Sequence, residues 1–245
     1  MTIYPIGVWG KGLGGDKFDR GLPSVGVTET PTPRDVDALL DRIFAGDDRD
    51  LQAALAASDA AGLPSIAVSA QQGKFLSLLV AATRATRILE IGTLGGYSTI
   101  WLARAAGPDG AVVTLEYEPR HAEVARANLD RAGVGDRVQV IVGPALETLP
   151  TLTGDPFDLV FIDADKENNV GYLNWAVKLC RSGAVIVVDN VIREGAILHP
   201  RPDDVTARGS REVLELMGEH PNLHAAALQT VGVKGWDGFA LAVVG

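Results

Sequence analysis

Residues 87–103 read RILEIGTLGGYSTIWLA: an apolar run broken only by Glu90 passes into Gly92, Gly95 and Gly96 and then into helical spacing. A short Val/Ile/Leu run of this kind suits a strand covered on both faces. Four more such runs follow, at 111–116 (AVVTLE), 137–142 (RVQVIV), 158–162 (DLVFI) and 184–188 (AVIVV), with helical stretches over 120–133 and 169–183 among them. Strand and helix alternating in this way predict a parallel sheet with right-handed crossovers. The chain's last stretch differs, because NLHAAALQTV and WDGFALAVV are joined by the short GVKG and predict an antiparallel hairpin at the sheet edge. The expected fold class is therefore α/β, a doubly wound, Rossmann-like, seven-stranded and mostly parallel sheet with helices on both faces.

Ahead of the first strand, 34–46 and 50–62 space apolar residues three and four apart and stop at Gly46 and Gly62. A third helix spans 69–85, opened by Ser69 as N-cap. Residues 1–32 are rich in Gly and Pro without periodicity and read as an irregular arm, leaving 33–245 as a single domain.

Of the 245 residues, 47% are hydrophobic and 22% charged, which is a globular composition. The formal net charge of −9 repels phosphate backbones, so no nucleic acid partner is expected. No apolar run is long enough to span a bilayer, and the start lacks a basic segment followed by an apolar one; the expectation is a soluble cytoplasmic protein with no membrane partner. The single cysteine, Cys180, cannot form an intrachain disulfide and reads as a small core residue.

In a doubly wound sheet, ligands bind beyond the carboxyl ends of the strands. The polar residues gather there: Glu90, Gly92 and Ser98 after the first strand, Glu116 after the second, Gly143-Pro144-Ala145 after the third, Asp163 and Lys166 after the fourth, Asp189-Asn190 after the fifth. Glycines let backbone approach a ligand closely, and the helix behind them offers free N–H groups. The spacing is G-x-x-G-G, which does not meet the dinucleotide fingerprint, and no Walker lysine follows. Glu116, 24 residues beyond Gly92, stands where a carboxylate accepts from both ribose hydroxyls, so an adenosine-containing cofactor is expected. The same glycines also suit an ordinary tight turn.

Asp163 and the Asp189-Asn190 pair end two strands that a parallel sheet sets side by side. Two carboxylates and an amide carbonyl are an all-oxygen set, suited to Mg²⁺, Mn²⁺ or Ca²⁺ rather than zinc. Each acid taken alone equally suits a turn or a helix cap. The four histidines, His121, His199, His220 and His224, are scattered. Lys166 reads either as a solvated lysine or as a base, since a nearby divalent cation and a cationic cofactor disfavour a second positive charge.

Taken in order and spacing, LEIGTLGGYS, TLEYEP, FIDADKEN and VVDNVIREG resemble the cation-dependent O-methyltransferases that use S-adenosylmethionine, the catechol and caffeoyl-CoA type with many bacterial members. The likeness covers about residues 60–245. It implies cofactor contacts from Val68, Glu90, Gly92, Thr93, Gly96, Ser98, Glu116, Ala145 and Asp163, with Glu116 on the ribose and Ala145 at the adenine. It implies a metal held by Asp163, Asp189 and Asn190, magnesium foremost, and Lys166, Asp163 and Asn190 as the catalytic group with Lys166 as base. Pro144 stands where the family commonly has Asp or Ser, which removes a side-chain contact near the adenine. DADK is closer to the caffeoyl-CoA and bacterial branch than to animal catechol enzymes.

The implied activity is methyl transfer to one hydroxyl of a vicinal dihydroxy aromatic, with a small phenolic acceptor as partner and a homodimer as assembly. The acceptor pocket is expected from the residues around Trp236-Asp237-Gly238, the 192–203 loop and the arm, although Trp236 equally suits the hairpin core. Two alternatives stand beside it: an NAD-dependent reductase, disfavoured by the glycine spacing, and a non-catalytic S-adenosylmethionine-binding module.

Overall fold

The computed structural model describes residues 30–245, so that all but the last residues of the 1–32 arm lie outside the described residues. Seven strands, β1 (Arg87–Ile91), β2 (Ala111–Glu116), β3 (Val138–Val142), β4 (Phe157–Ile162), β5 (Cys180–Asp189), β6 (Leu223–Gly232) and β7 (Gly235–Val244), form one sheet in the order β3-β2-β1-β4-β5-β7-β6. The first five run parallel. β7 lies antiparallel to β5 and to β6. The expected fold class is borne out, hairpin included.

The apolar strands are continuous because both faces are covered. Leu89, Ile91, Val160, Ile162, Ile186 and Val188 face one core, under α7 (Asn169–Leu179) and α8 (Val205–Glu219), where Leu173, Ala176, Val213 and Met217 meet them. Their chain neighbours Ile88, Leu159, Phe161, Val185 and Val187 face the other, built with α3 (Ala70–Thr83), α4 (Tyr97–Ala106) and α5 (Pro119–Arg131) through Leu76, Val80, Ile100 and Leu129. This is the period-two alternation of a strand with a core on each side. Each fully buried Leu or Ile contributes about 1.5–3 kcal/mol, and the middle of the sheet is fixed accordingly.

The N-terminal helices form where capping predicts. Thr32 and Asp35 make a reciprocal capping box for α1 (Pro33–Leu40), and Asp48 caps α2 (Arg49–Ala60). The Ser69 hydroxyl accepts from the Gln72 N–H at the start of α3, as expected.

Two readings need correction. Cys180–Gly183, taken with the preceding helix, belong to β5: α7 ends at Leu179, and Arg181 Nε donates to Asp158 Oδ1 at 2.6 Å, drawing the segment onto β4. Second, α8 escaped the periodicity reading. It is capped by Asp204, which accepts from the Ala207 N–H at 2.9 Å, but Gly209 and Gly218 interrupt its apolar stripe. Gly209 has a reason to be there: a Cβ at that point would sit 2.1 Å from the Lys166 carbonyl oxygen, so only glycine lets α8 press on that turn.

Among the described residues no helix is long and apolar enough to cross a membrane.

Candidate active site

The strand exits are stitched into one rim. Gly92 N–H donates to the Leu115 carbonyl at 3.0 Å, Asp163 N–H to Ile91 at 2.8 Å, and Gly143 N–H to Glu116 at 2.9 Å. Gly92 has φ +102, and a Cβ there would lie 2.0 Å from the Asp163 carbonyl oxygen. In front of this rim opens a cavity of about 910 Å³, walled by Val68, Gly92, Thr93, Ser98, Glu116, Ala145, Asp163, Lys166 and Asn190. Nine residues singled out from sequence thus share one cavity.

Three others stand off its wall. Glu90 is fully buried behind it, and its carboxylate accepts from the hydroxyls of Ser98 at 2.6 Å, Thr99, and Thr114 at 2.7 Å. Burial pushes this carboxyl up to about 7, against the pull of the three hydroxyls. Its nearest role is therefore to hold Ser98, which does line the cavity. Gly96 adopts the left-handed N-cap of α4, with φ +81, and shapes the turn. Asp189 opens instead on a neighbouring cavity.

Glu116 ends β2 with its carboxylate turned over the glycine segment. Oε2 accepts from the N–H groups of Thr93 at 3.2 Å and Leu94 at 2.7 Å, and Oε1 from Glu118 at 2.9 Å. Oε1 also lies 3.4 Å from His121 Nδ1.

Asp163 and Asp189 follow Ile162 and Val188, which are paired in the β4–β5 register, so the two carboxylates leave adjacent strands side by side. Asp189 is 4% exposed, and burial, followed by the charge of Asp163, pushes its carboxyl up to about 7. Asn190, at φ +55, donates its N–H to Asp189 Oδ1 at 2.8 Å. Lys166 lies in the 3-10 turn Lys166–Asn168 beneath α8, is 7% exposed, and places Nζ 2.9 Å from Asp163 Oδ1. Two carboxylates thus face one ammonium. Among the described residues no group of three His, Cys, Asp or Glu is arranged to hold a metal.

The neighbouring cavity, about 470 Å³, is bounded by Asp189, Asn190, Ser69, Gln72, Phe75, Leu40 and the hairpin turn 230–235. Val68, Asn190 and Arg193 line both cavities. Asp237 and Gly238 line the smaller one and Trp236 does not; its Nε1 donates to Gln229 Oε1 at 2.9 Å, and its ring packs on Gly195. Phe75 and Gln72 were not singled out from sequence, and Arg193 only as one residue of the 192–203 loop. The first two sit on α3 among its ordinary packing residues, and Arg193 is brought in by left-handed backbone that no pattern announces. Cys180 is half-buried against the core beneath α7, as expected, with its thiol pushed up to about 12 by burial.

Residues 47–235 match the model of a family described as O-methyltransferase. A catechol O-methyltransferase of Mycobacterium tuberculosis is 70% identical over 220 residues, 90% of this chain and all of that one. One of the same name from Niastella koreensis is 46% identical over 212 residues, 85% of this chain and 96% of the other. The crystal structure of an O-methyltransferase from Bacillus cereus in complex with SAH superimposes with a TM-score of 0.85 at 49% identity, covering 87% of this chain and 98% of that one.

Proposed function

Because the chain belongs to the S-adenosylmethionine-dependent O-methyltransferase family, we propose that it methylates one hydroxyl of a catechol-like acceptor with the help of a divalent cation, Mg²⁺ foremost, held by Asp163, Asp189 and Asn190. The observation that carries this reading is the meeting of two cavities at Val68 and Asn190, with the oxygen donors beside the seam. The larger suits the cofactor and the smaller an acceptor ring. The names of the two relatives speak for the acceptor's vicinal hydroxyls, and the SAH in the Bacillus cereus structure for the cofactor. Family membership also displaces the nicotinamide and non-catalytic alternatives.

The residues present fit such a cation. Two carboxylates leave adjacent strands with a single lysine nearby, paired with Asp163; Asp189 is buried enough to resist ionising, and oxygen-only donors suit a hard ion. When bound there, it supplies positive charge that acidifies a nearby hydroxyl. S-Adenosylmethionine supplies an electrophilic methyl on a cationic sulfur. The rest falls to the chain. Lys166, fixed in its turn by α8, takes the acceptor proton at Nζ. Gly92, Thr93 and Ser98 border the space for the methionine portion, Glu116 the ribose and Ala145 the adenine. Val68, with Ile66 and Ala67, gives the seam one apolar side, against which oxygen and methyl carbon are held in line.

The test is incubation of the protein with methyl-labelled S-adenosylmethionine, Mg²⁺ and a panel of vicinal-diol aromatics. A gain of one labelled methyl is expected; no gain across the panel contradicts the reading. The single thiol suits a cytoplasmic location. A homodimer is favoured by α1, none of whose residues is buried although Val36 and Leu39 are large and apolar, as are Ile43 and Phe44 just beyond it. Light scattering is expected to return twice the 25.8 kDa of one chain, and a monomer mass would remove that assignment.

A further inference from the structure

Arg193 stands at the seam between the cavities and is unused by the chemistry above. Among the described residues its guanidinium donates no hydrogen bond, and its ionic neighbour is Asp237, with Nη1 3.9 Å from Oδ2. Asp237 is committed to the backbone: its Oδ1 accepts from the N–H groups of Ile192 at 3.0 Å, Arg193 at 3.0 Å and Gly238 at 2.9 Å. The first two of those bonds tie the loop after β5 to β7. Arg193 and Glu194 follow with left-handed φ values of +52 and +53. The loop's backbone thus delivers Arg193 to the wall of both cavities, with its side chain partly exposed and no hydrogen bond holding its guanidinium elsewhere among the described residues.

Asp189 and Asn190 mark the end of the smaller cavity where the acceptor hydroxyls belong. Arg193 is three residues further along the same loop, and Leu40, Phe75 and Val231 supply apolar wall for a ring. We propose that Arg193 is a specificity-determining residue, and that the preferred acceptors are dihydroxy aromatic acids whose ring carboxylate pairs with its guanidinium while the diol faces Asp189 and Asn190. A guanidinium matches a carboxylate in a two-point geometry that neutral substituents do not reproduce. The acids facing this cavity do not compete on equal terms: Asp37 accepts from the Val233 N–H at 2.6 Å, Asp237 is held by backbone, and Asp189 is buried at the diol end.

This inference rests on the methyl-transfer reading and is separated from it by a pair of acceptors, 3,4-dihydroxybenzoate and its neutral amide. The wild type is expected to prefer the acid in kcat/KM by about 10- to 100-fold, the range of a charge-assisted pair. In Arg193→Gln that ratio is expected to fall to about 1 through KM for the acid, and Arg193→Glu is expected to invert it. Methylation of both acceptors by the wild type without preference, or the same preference in Arg193→Gln, overturns the inference alone. Calorimetry with S-adenosylhomocysteine covers the remaining assignment: a tenfold loss of its affinity in Arg193→Gln, with acceptor preference kept, gives the arginine to the cofactor and overturns the inference too. If the wild type methylates neither acceptor nor any other vicinal diol, the functional reading falls with it.

Discussion

Lys166→Ala is expected to lower kcat by about 10²- to 10⁴-fold, the usual contribution of a positioned acid or base, while S-adenosylhomocysteine still binds in calorimetry. Lys166 is 7% exposed and reaches Asp163 at 2.9 Å, so it has little freedom to serve from elsewhere. The informative companion is Lys166→Arg. Arginine keeps the positive charge beside Asp163 but does not give up its proton in a protein. If Lys166 works as a base, arginine leaves the rate as low as alanine does. If it works only as a counter-charge that holds Asp163, arginine restores much of the rate. Recovery to within a few fold of wild type in the arginine variant contradicts the base assignment.

Gly92→Val is expected to lose both stability and cofactor binding. The backbone there has φ +102, a region β-branched residues scarcely enter, and the new Cβ would begin 2.0 Å from the Asp163 carbonyl oxygen. That neighbour is backbone at the exit of β4, so relief requires the β1 and β4 exits to part and breaks the bond from Asp163 N–H to Ile91. Backbone strain and overpacking together cost about 2–6 kcal/mol, read as a lower urea midpoint. Gly218→Ala is the contrast: a Cβ there meets nothing within 4 Å, inside α8, and the change is expected to be neutral or stabilising by up to about 1 kcal/mol. Equal midpoints for Gly92→Val and wild type, with S-adenosylhomocysteine affinity unchanged, would show that the exits are not held together there.

Much of this was legible in the sequence because the sheet is covered on both sides. Ile88 and Leu89 face opposite cores, so RILEI needed no alternation to read as a strand, and the polar residue after each run marked an exit. What failed did so for local reasons. Cys180–Gly183 looks helical until Asp158, on a different strand, offers its carboxylate to Arg181. The glycines of α8 weaken its pattern, and one of them exists to clear the Lys166 turn. Glu90 was placed at the right strand end but one residue too deep to reach the cavity. Its partners Ser98, Thr99 and Thr114 lie on the following helix and the adjacent strand, where only tertiary pairing brings their hydroxyls to it. Arg193, read only as part of the 192–203 loop, owes its place there to Asp237 on the neighbouring strand β7. Residues that act from strand ends could be read; those delivered by long-range polar contacts could not.

The account stands most directly on its cation. Protein stripped with a chelator and returned to increasing free Mg²⁺ should recover methyl transfer to a vicinal diol along a saturating curve, while Asp163→Ala should stay near the chelated rate and still bind S-adenosylhomocysteine. Full wild-type rate in excess chelator would contradict it.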